Sequence, residues 1–166
     1  RQARQSGLTI TADMYPYTAG STGLDVIMPP WASRGGMDAW IDRMQDPVTR
    51  ERIRRAMREE TPDWENMLAS AGADGVLLAG FRSPALQRYA GMTLAEVARE
   101  RQTTPEEAAM DLVIEDRSRV MAVYFTQAEH VVRRILQLPY VSFCTDGEAV
   151  AAEAPFLDNS LHPRSY

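Results

Sequence analysis

One acidic residue stands where an α/β fold would use it for chemistry. Asp146 precedes Gly147 and follows residues 140–145, whose composition predicts a β-strand. The carboxyl ends of the strands form the edge of a parallel sheet or barrel where ligands bind and catalytic side chains project. A carboxylate at that edge can act as a general base or bind a metal ion, although Asp-Gly is also common in turns. Asp146 is therefore a candidate catalytic residue, with a simple turn as the alternative.

Hydroxyl groups near the start of the chain and a guanidinium near its end are candidate substrate ligands. Tyr15, Tyr17, Ser21 and Thr22 lie within one segment, where they can donate hydrogen bonds to a ligand or simply stabilise turns. Arg164 follows Pro163, which restricts the backbone of its loop. Because the guanidinium fork matches two oxygens, Arg164 is a candidate anchor for a substrate carboxylate, with an ordinary surface arginine as the alternative.

Histidine and cysteine are too sparse for a complete metal site. His130 and His162 are far apart, and Cys144 is the only cysteine of the chain. Zinc needs three or four ligands, so we predict no metal ligands in this sequence. Cys144 lies two residues before Asp146, which places both on one face of the predicted strand. A nucleophilic pair of cysteine and histidine is the alternative to the favoured interpretation, a buried strand thiol.

The composition excludes several classes of partner and mechanism. The 166 residues carry a net charge of −5, which argues against binding through nucleic-acid phosphates. All 18 basic residues are arginine, so no mechanism can use a lysine. No apolar run approaches the roughly 20 residues that span a bilayer. We expect no nucleic-acid and no membrane partner, and the lone thiol is compatible with a cytoplasmic location.

Periodicity and helix caps predict the elements that position these residues. Strands are predicted at residues 8–15, 64–69, 76–81, 119–125 and 140–145, and residues 17–30 read as a long ordered loop. Helices are predicted from Met37, from Asp46-Pro47 through about Glu60, and behind three capping boxes that begin at Thr93, Thr104 and Thr126. The strand, helix and strand within residues 119–146 predict a βαβ unit with parallel strands.

Four short motifs, in the same order, resemble those of the N-acyl-D-amino-acid deacylases, the D-aminoacylases of the amidohydrolase superfamily. They are Asp13-Met14-Tyr15-Pro16-Tyr17-Thr18-Ala19-Gly20-Ser21-Thr22, Met28-Pro29-Pro30-Trp31, Thr145-Asp146-Gly147 and His162-Pro163-Arg164. Thr145 stands where the family usually has serine. Together the motifs span nearly the whole chain.

The resemblance implies a fold of the α/β class, a fragment of a (β/α)8 amidohydrolase barrel. Residues 8–15 and 140–145 would be the last two barrel strands, with an inserted α+β segment between them. The implied organisation is a barrel strand and active-site loop at residues 1–30, the insertion at 31–117, and the βαβ unit with the catalytic Asp-Gly loop at 118–166. A complete barrel needs about 250 residues, so we expect the sequence to belong to a longer chain.

The resemblance also implies a site and a reaction, the zinc-dependent hydrolysis of the amide in an N-acyl-D-amino acid. Asp146 would be the general base, Arg164 would hold the substrate carboxylate, and Tyr15 and Ser21 would orient the substrate. The family's metal ligands lie on earlier strands, and Cys144 does not match its bridging cysteine. We therefore expect zinc in the intact parent only, and a fragment that is inactive and self-associates. Open alternatives are an amidohydrolase acting on cyclic amides or other N-acyl compounds, and a non-catalytic structural module.

Overall fold

A computed structural model describes residues 2–147 of the chain. The helices are α1 (Gln2–Gln5), α2 (Gly36–Gln45), α3 (Pro47–Ala56), α4 (Met67–Ala71), α5 (Leu94–Glu100), α6 (Pro105–Asp116) and α7 (Glu129–Leu136). The strands are β1 (Ala12–Met14), β2 (Gly20–Gly23), β3 (Val76–Gly80), β4 (Met121–Tyr124) and β5 (Val141–Phe143). The described residues form two compact units, one of residues 2–18 with 127–147 and one of residues 19–126. The mixed α/β class predicted from the sequence is confirmed.

The first unit is built on a parallel pair of strands. β1 and β5 pair with Met14 opposite Phe143, as expected for two strands that end at one edge of a sheet. Helix α7, which directly precedes β5 along the chain, buries Val132. At the other end of the unit, the guanidinium of Arg4 lies 4.7 Å from the ring centroid of Tyr140 and donates a hydrogen bond to the carbonyl of Ile10.

The second unit is an antiparallel sheet in the order β2-β4-β3, packed with helices. Apolar residues from this sheet and from α2, α3, α5 and α6 share one core. Three of the four predicted helix caps form: Asp46 accepts a hydrogen bond from the backbone N–H of Thr49 at 2.8 Å, and Thr93 with Glu96 forms a complete capping box. Thr104 also caps α6 by accepting from the N–H of Glu107.

The predicted βαβ unit at the end of the chain is wrong. Both strands and the helix exist, but β4 pairs antiparallel with β2 and β3, whereas β5 pairs in parallel with β1. The strands thus belong to different sheets in different units. Composition identifies a strand but does not identify its partner, which depends on residues elsewhere in the chain.

Four local predictions also need correction. Residues 17–30 are not all loop, because they contain β2 and a 3-10 helix at Leu24–Ile27. Residues 64–69 form no strand, since the side chain of Asn66 caps α4 instead. The helix α3 ends at Ala56, before Glu60. Thr126 does not cap α7, which begins after Ala128 without a side-chain cap. None of the helices within residues 2–147 is long and apolar enough to cross a lipid bilayer.

Candidate active site

The carboxyl edge of the β1–β5 pair brings two predicted site segments together. Beyond the Met14–Phe143 pair, the backbone N–H of Cys144 donates a hydrogen bond to the carbonyl of Met14 at 3.0 Å. Parallel pairing therefore continues to the residues that leave both strands. Tyr15 and the segment 144–147 emerge at one edge because the two strands run in the same direction.

Tyr15 is half-buried at this edge. Its ring contacts that of Tyr17, with centroids 5.7 Å apart and planes inclined by 39°. An aromatic pair of this geometry restricts the position of the Tyr15 ring. The phenol is thus a hydrogen-bond donor and acceptor held beside the strand ends.

Asp146 occupies a tight turn with its side chain exposed. Its φ of 50° lies in the left-handed region, which aspartate enters more readily than most residues. The N–H of Gly147 donates to Oγ1 of Thr145 at 3.3 Å, which closes the turn around Asp146. Within residues 2–147 the Asp146 carboxylate takes part in no ion pair or side-chain hydrogen bond. The turn predicted as an alternative is therefore present, and it presents a free carboxylate.

Ser21 belongs to the second unit, where β2 holds it. It pairs with Val123 of β4, and its hydroxyl donates to the carbonyl of Ala122 at 3.2 Å. Ser21 is exposed and lies in a strand rather than in the predicted loop. Tyr15 and Asp146 thus share one unit, whereas Ser21 is part of the other.

Two predicted residues lie outside the described part of the chain. Arg164 and His162 fall within residues 148–166, which the structure does not describe. Their assignments remain predictions from the sequence.

A charged pair beside Ser21 was not found from the sequence. The Nε of Arg119 donates to Oδ1 of Asp25 at 2.7 Å, just beyond the end of β2. Nearby, the hydroxyl of Tyr124 donates to the carbonyl of Gly23 at 3.0 Å, and burial together with the charge of Asp25 raises the pKa of this phenol. These contacts stabilise β2. The sequence alone did not predict these contacts, because the partners lie about 100 residues apart.

The described residues do not fit a complete metal site. No group of three or more histidine, cysteine, aspartate or glutamate side chains within residues 2–147 is arranged to hold a metal ion. Cys144 is exposed, so the predicted buried thiol is wrong. A zinc centre would need ligands from outside the described part of the chain.

The fold resembles that of known deacylases. The chain superposes on the N-acyl-D-glutamate deacylase from Bordetella bronchiseptica, solved with zinc and a phosphonate mimic of the tetrahedral intermediate, with a TM-score of 0.50 and 22% identity over 88% of this chain. A D-aminoacylase of the amidohydrolases aligns with a TM-score of 0.47 and 21% identity over the same share. This chain spans 21% of the length of each. The sequence matches no protein-family model and no curated protein. The predicted resemblance is confirmed for the fold.

Proposed function

We propose that this chain is part of a metal-dependent amidohydrolase that cleaves the amide of N-acyl-D-amino acids. The parallel pairing of β1 with β5 is the observation that carries the proposal, since it brings Tyr15 and Asp146 to one sheet edge. The shared fold supports the same conclusion. Ligands of parallel sheets bind at the carboxyl ends of the strands.

Asp146 is the proposed proton carrier of the reaction. Its exposed carboxylate accepts a proton from the attacking water and passes it to the leaving nitrogen of the amide. The lack of a protein partner for this group within residues 2–147 leaves both oxygens available for that transfer. The turn closed by Thr145 and Gly147 fixes the backbone from which the carboxylate projects.

The other predicted residues position the substrate in this proposal. Tyr15 offers its phenol at the same edge, and Arg164 binds the substrate carboxylate through its guanidinium fork. For Ser21, orienting the substrate remains a prediction from the resemblance, and its hydroxyl donates to the carbonyl of Ala122. Zinc, expected from the resemblance, supplies Lewis-acid chemistry when bound.

Exposed apolar side chains support the proposal that the first unit belongs to a larger sheet. Phe143, in β5, is 76% exposed, and Leu8, before β1, is 59% exposed. A sheet of two short strands is marginal alone, and apolar groups beside it are normally covered by further strands or helices. The insertion predicted at residues 31–117 falls within the second unit, residues 19–126. The fragment by itself is expected to self-associate and to lack activity.

The test is to replace Asp146 in the longer protein that contains this chain. Asp146→Asn should lower kcat for an N-acetyl-D-amino acid by about 10²–10⁴-fold, because the asparagine side chain cannot accept the proton from the attacking water. Metal content should not change. Asp74→Asn is the matched control, an exposed aspartate in the other unit, and should keep full activity. Unchanged turnover in Asp146→Asn would contradict the proposal.

A further inference from the structure

The second unit carries an open groove that has no role in the proposed reaction. Two adjoining cavities, of about 380 and 270 Å³, share Pro30 and Trp64 as common walls. Trp31 lines the larger one. We call this surface the tryptophan groove, formed by Pro29, Pro30, Trp31 and Trp64. Its walls are aromatic and proline side chains, which offer flat apolar surface to a ligand.

Both walls of the tryptophan groove are anchored to the protein core. On one side, the N–H of Ala32 donates to the carbonyl of Pro29 at 2.8 Å, and Met28 and Ala32 are buried. On the other side, buried Asn66 donates to the carbonyls of Met57 at 2.9 Å and Glu59 at 3.3 Å. Asn66 thereby holds the segment that carries Trp64. The groove is preformed, which reduces the entropy lost when a ligand binds.

The charges around the tryptophan groove are predominantly negative. Glu59 and Asp63 line the larger cavity and Glu65 lines the smaller one. All three are exposed, and none forms an ion pair within residues 2–147. Arg34 is the opposing charge in the larger cavity. Counting Arg34 and also Arg52, which lies over the ring of Trp31, two guanidinium groups face three carboxylates without ion pairs, and the remaining negative charge favours a cationic ligand.

The groove already shows the contact that such a ligand would make. The guanidinium of Arg52 lies 4.4 Å from the ring centroid of Trp31, within the range of a cation–π interaction. The indole of Trp64 stands between the two cavities, beside carboxylates without partners. We propose that the tryptophan groove binds an extended basic peptide segment of a partner protein, placing arginine side chains in the two cavities against Trp64. Two adjoining cavities suit a peptide, because successive side chains can enter separate cavities.

The direct experiment uses the blocked peptide acetyl-Gly-Arg-Gly-Arg-Gly-amide with the full chain. We expect calorimetric binding that weakens as salt rises, since surface charges are screened. In ¹H–¹⁵N spectra the indole N–H signals of Trp31 and Trp64 should shift. The signal of Trp40, which is 2% exposed and lines neither cavity, should not. Without indole shifts at Trp31 and Trp64, the groove is not the binding site.

Variants separate the aromatic contribution from the charge contribution. Trp64→Leu should weaken binding of the arginine peptide about five- to tenfold, through loss of the cation–π contact. Glu59→Gln and Asp63→Asn should each weaken it severalfold, whereas Arg34→Gln should strengthen it. Glu60→Gln is the matched control, because Glu60 is exposed and lines neither cavity. Circular dichroism confirms that each variant is folded.

The Arg34→Gln variant gives the decisive result, because it should strengthen peptide binding whereas Glu59→Gln and Asp63→Asn should weaken it. If Arg34→Gln weakens binding, or if acetyl-Gly-Glu-Gly-Glu-Gly-amide binds as tightly as the arginine peptide, the groove does not select cations and the proposal is wrong. It is equally wrong if Trp64→Leu abolishes self-association of the chain while leaving peptide binding intact. That outcome would assign the groove to a second copy.

Discussion

The backbone N–H of Cys144 donates to the carbonyl of Met14 at 3.0 Å, beyond the last regular pair of the β1–β5 ladder. This hydrogen bond ties the segment that carries Asp146 to the segment that carries Tyr15. Both partners are backbone groups, so the exposed thiol of Cys144 takes no part in it. The relationship links residues about 130 positions apart, and the proposed site rests on it.

Replacing Cys144 tests the importance of this hydrogen bond. Cys144→Pro removes the N–H donor and should lower kcat of the longer protein at least tenfold, because the Asp146 turn loses its tie to β1. Cys144→Ser keeps the N–H and should retain activity. Amide exchange of the neighbouring residues reports the state of the pairing. A large loss of activity in Cys144→Ser would instead indicate a chemical role for the thiol.

Replacing Arg164 tests the proposed substrate anchor. Arg164→Ala should raise KM for an N-acetyl-D-amino acid about tenfold or more and change kcat little, since a charge-assisted contact to an unreacting group is lost. Arg164→Lys keeps the charge without the fork and should give an intermediate KM. Steady-state kinetics on the acid and on its neutral amide provide the measurement. An equal effect on both substrates would contradict carboxylate binding.

Gly23 should tolerate no side chain, because β2 meets the Asp25–Arg119 pair there. A Cβ at this position would lie 2.6 Å from Oδ1 of Asp25 and 2.7 Å from Cβ of Arg119. Gly23→Ala should therefore destabilise the protein by about 1–3 kcal/mol in urea denaturation. Gly80→Ala is the control, since a Cβ there meets no atom within 4 Å. Equal stability of the two variants would show that the Asp25–Arg119 pair moves aside freely.

Acid should weaken the fold partly through Glu106, which is 8% exposed. Burial acts to raise the pKa of this carboxyl. The hydrogen bonds from Arg58, at 2.8 Å, and with Thr104 outweigh burial, so the net pKa lies below the ordinary value of 4.5. The unfolded chain then binds more protons, so the stabilisation by Glu106 is present above pH 4.5 and is lost as pH falls through the folded pKa.

Comparing the wild type with Glu106→Gln in urea denaturation at several pH values measures this contribution. The variant should be less stable at pH 7, and the difference in free energy of unfolding should shrink below pH 4.5. Glu60→Gln, at an exposed residue outside any ion pair in the described part of the chain, should follow the wild type at every pH. A difference that grows in acid would contradict the sign.

Several features of the fold could be predicted because their causes are local. The caps at Asp46, Thr93 and Thr104 each satisfy backbone N–H groups within three residues, so the sequence alone shows where these helices begin. The same reasoning failed at Trp64, where apolar residues suggested a strand. There the side chain of Asn66 accepts from the N–H groups of Leu68 and Ala69 and starts a helix.

In the candidate site, too, some features have local causes and others depend on distant parts of the chain. Residue types and motif order determined the candidate site residues, which are Asp146, Arg164, Tyr15 and Ser21. They also indicated the fold that the structural comparison supports. The resemblance already implied that residues 8–15 and 140–145 are the last two barrel strands, whereas only the tertiary structure decided that β4 joins β2 and β3 and not β5. The pairing of β4 could not be predicted because its energy comes from contacts between residues about 40 to 105 positions apart, and no short stretch of sequence carries that information.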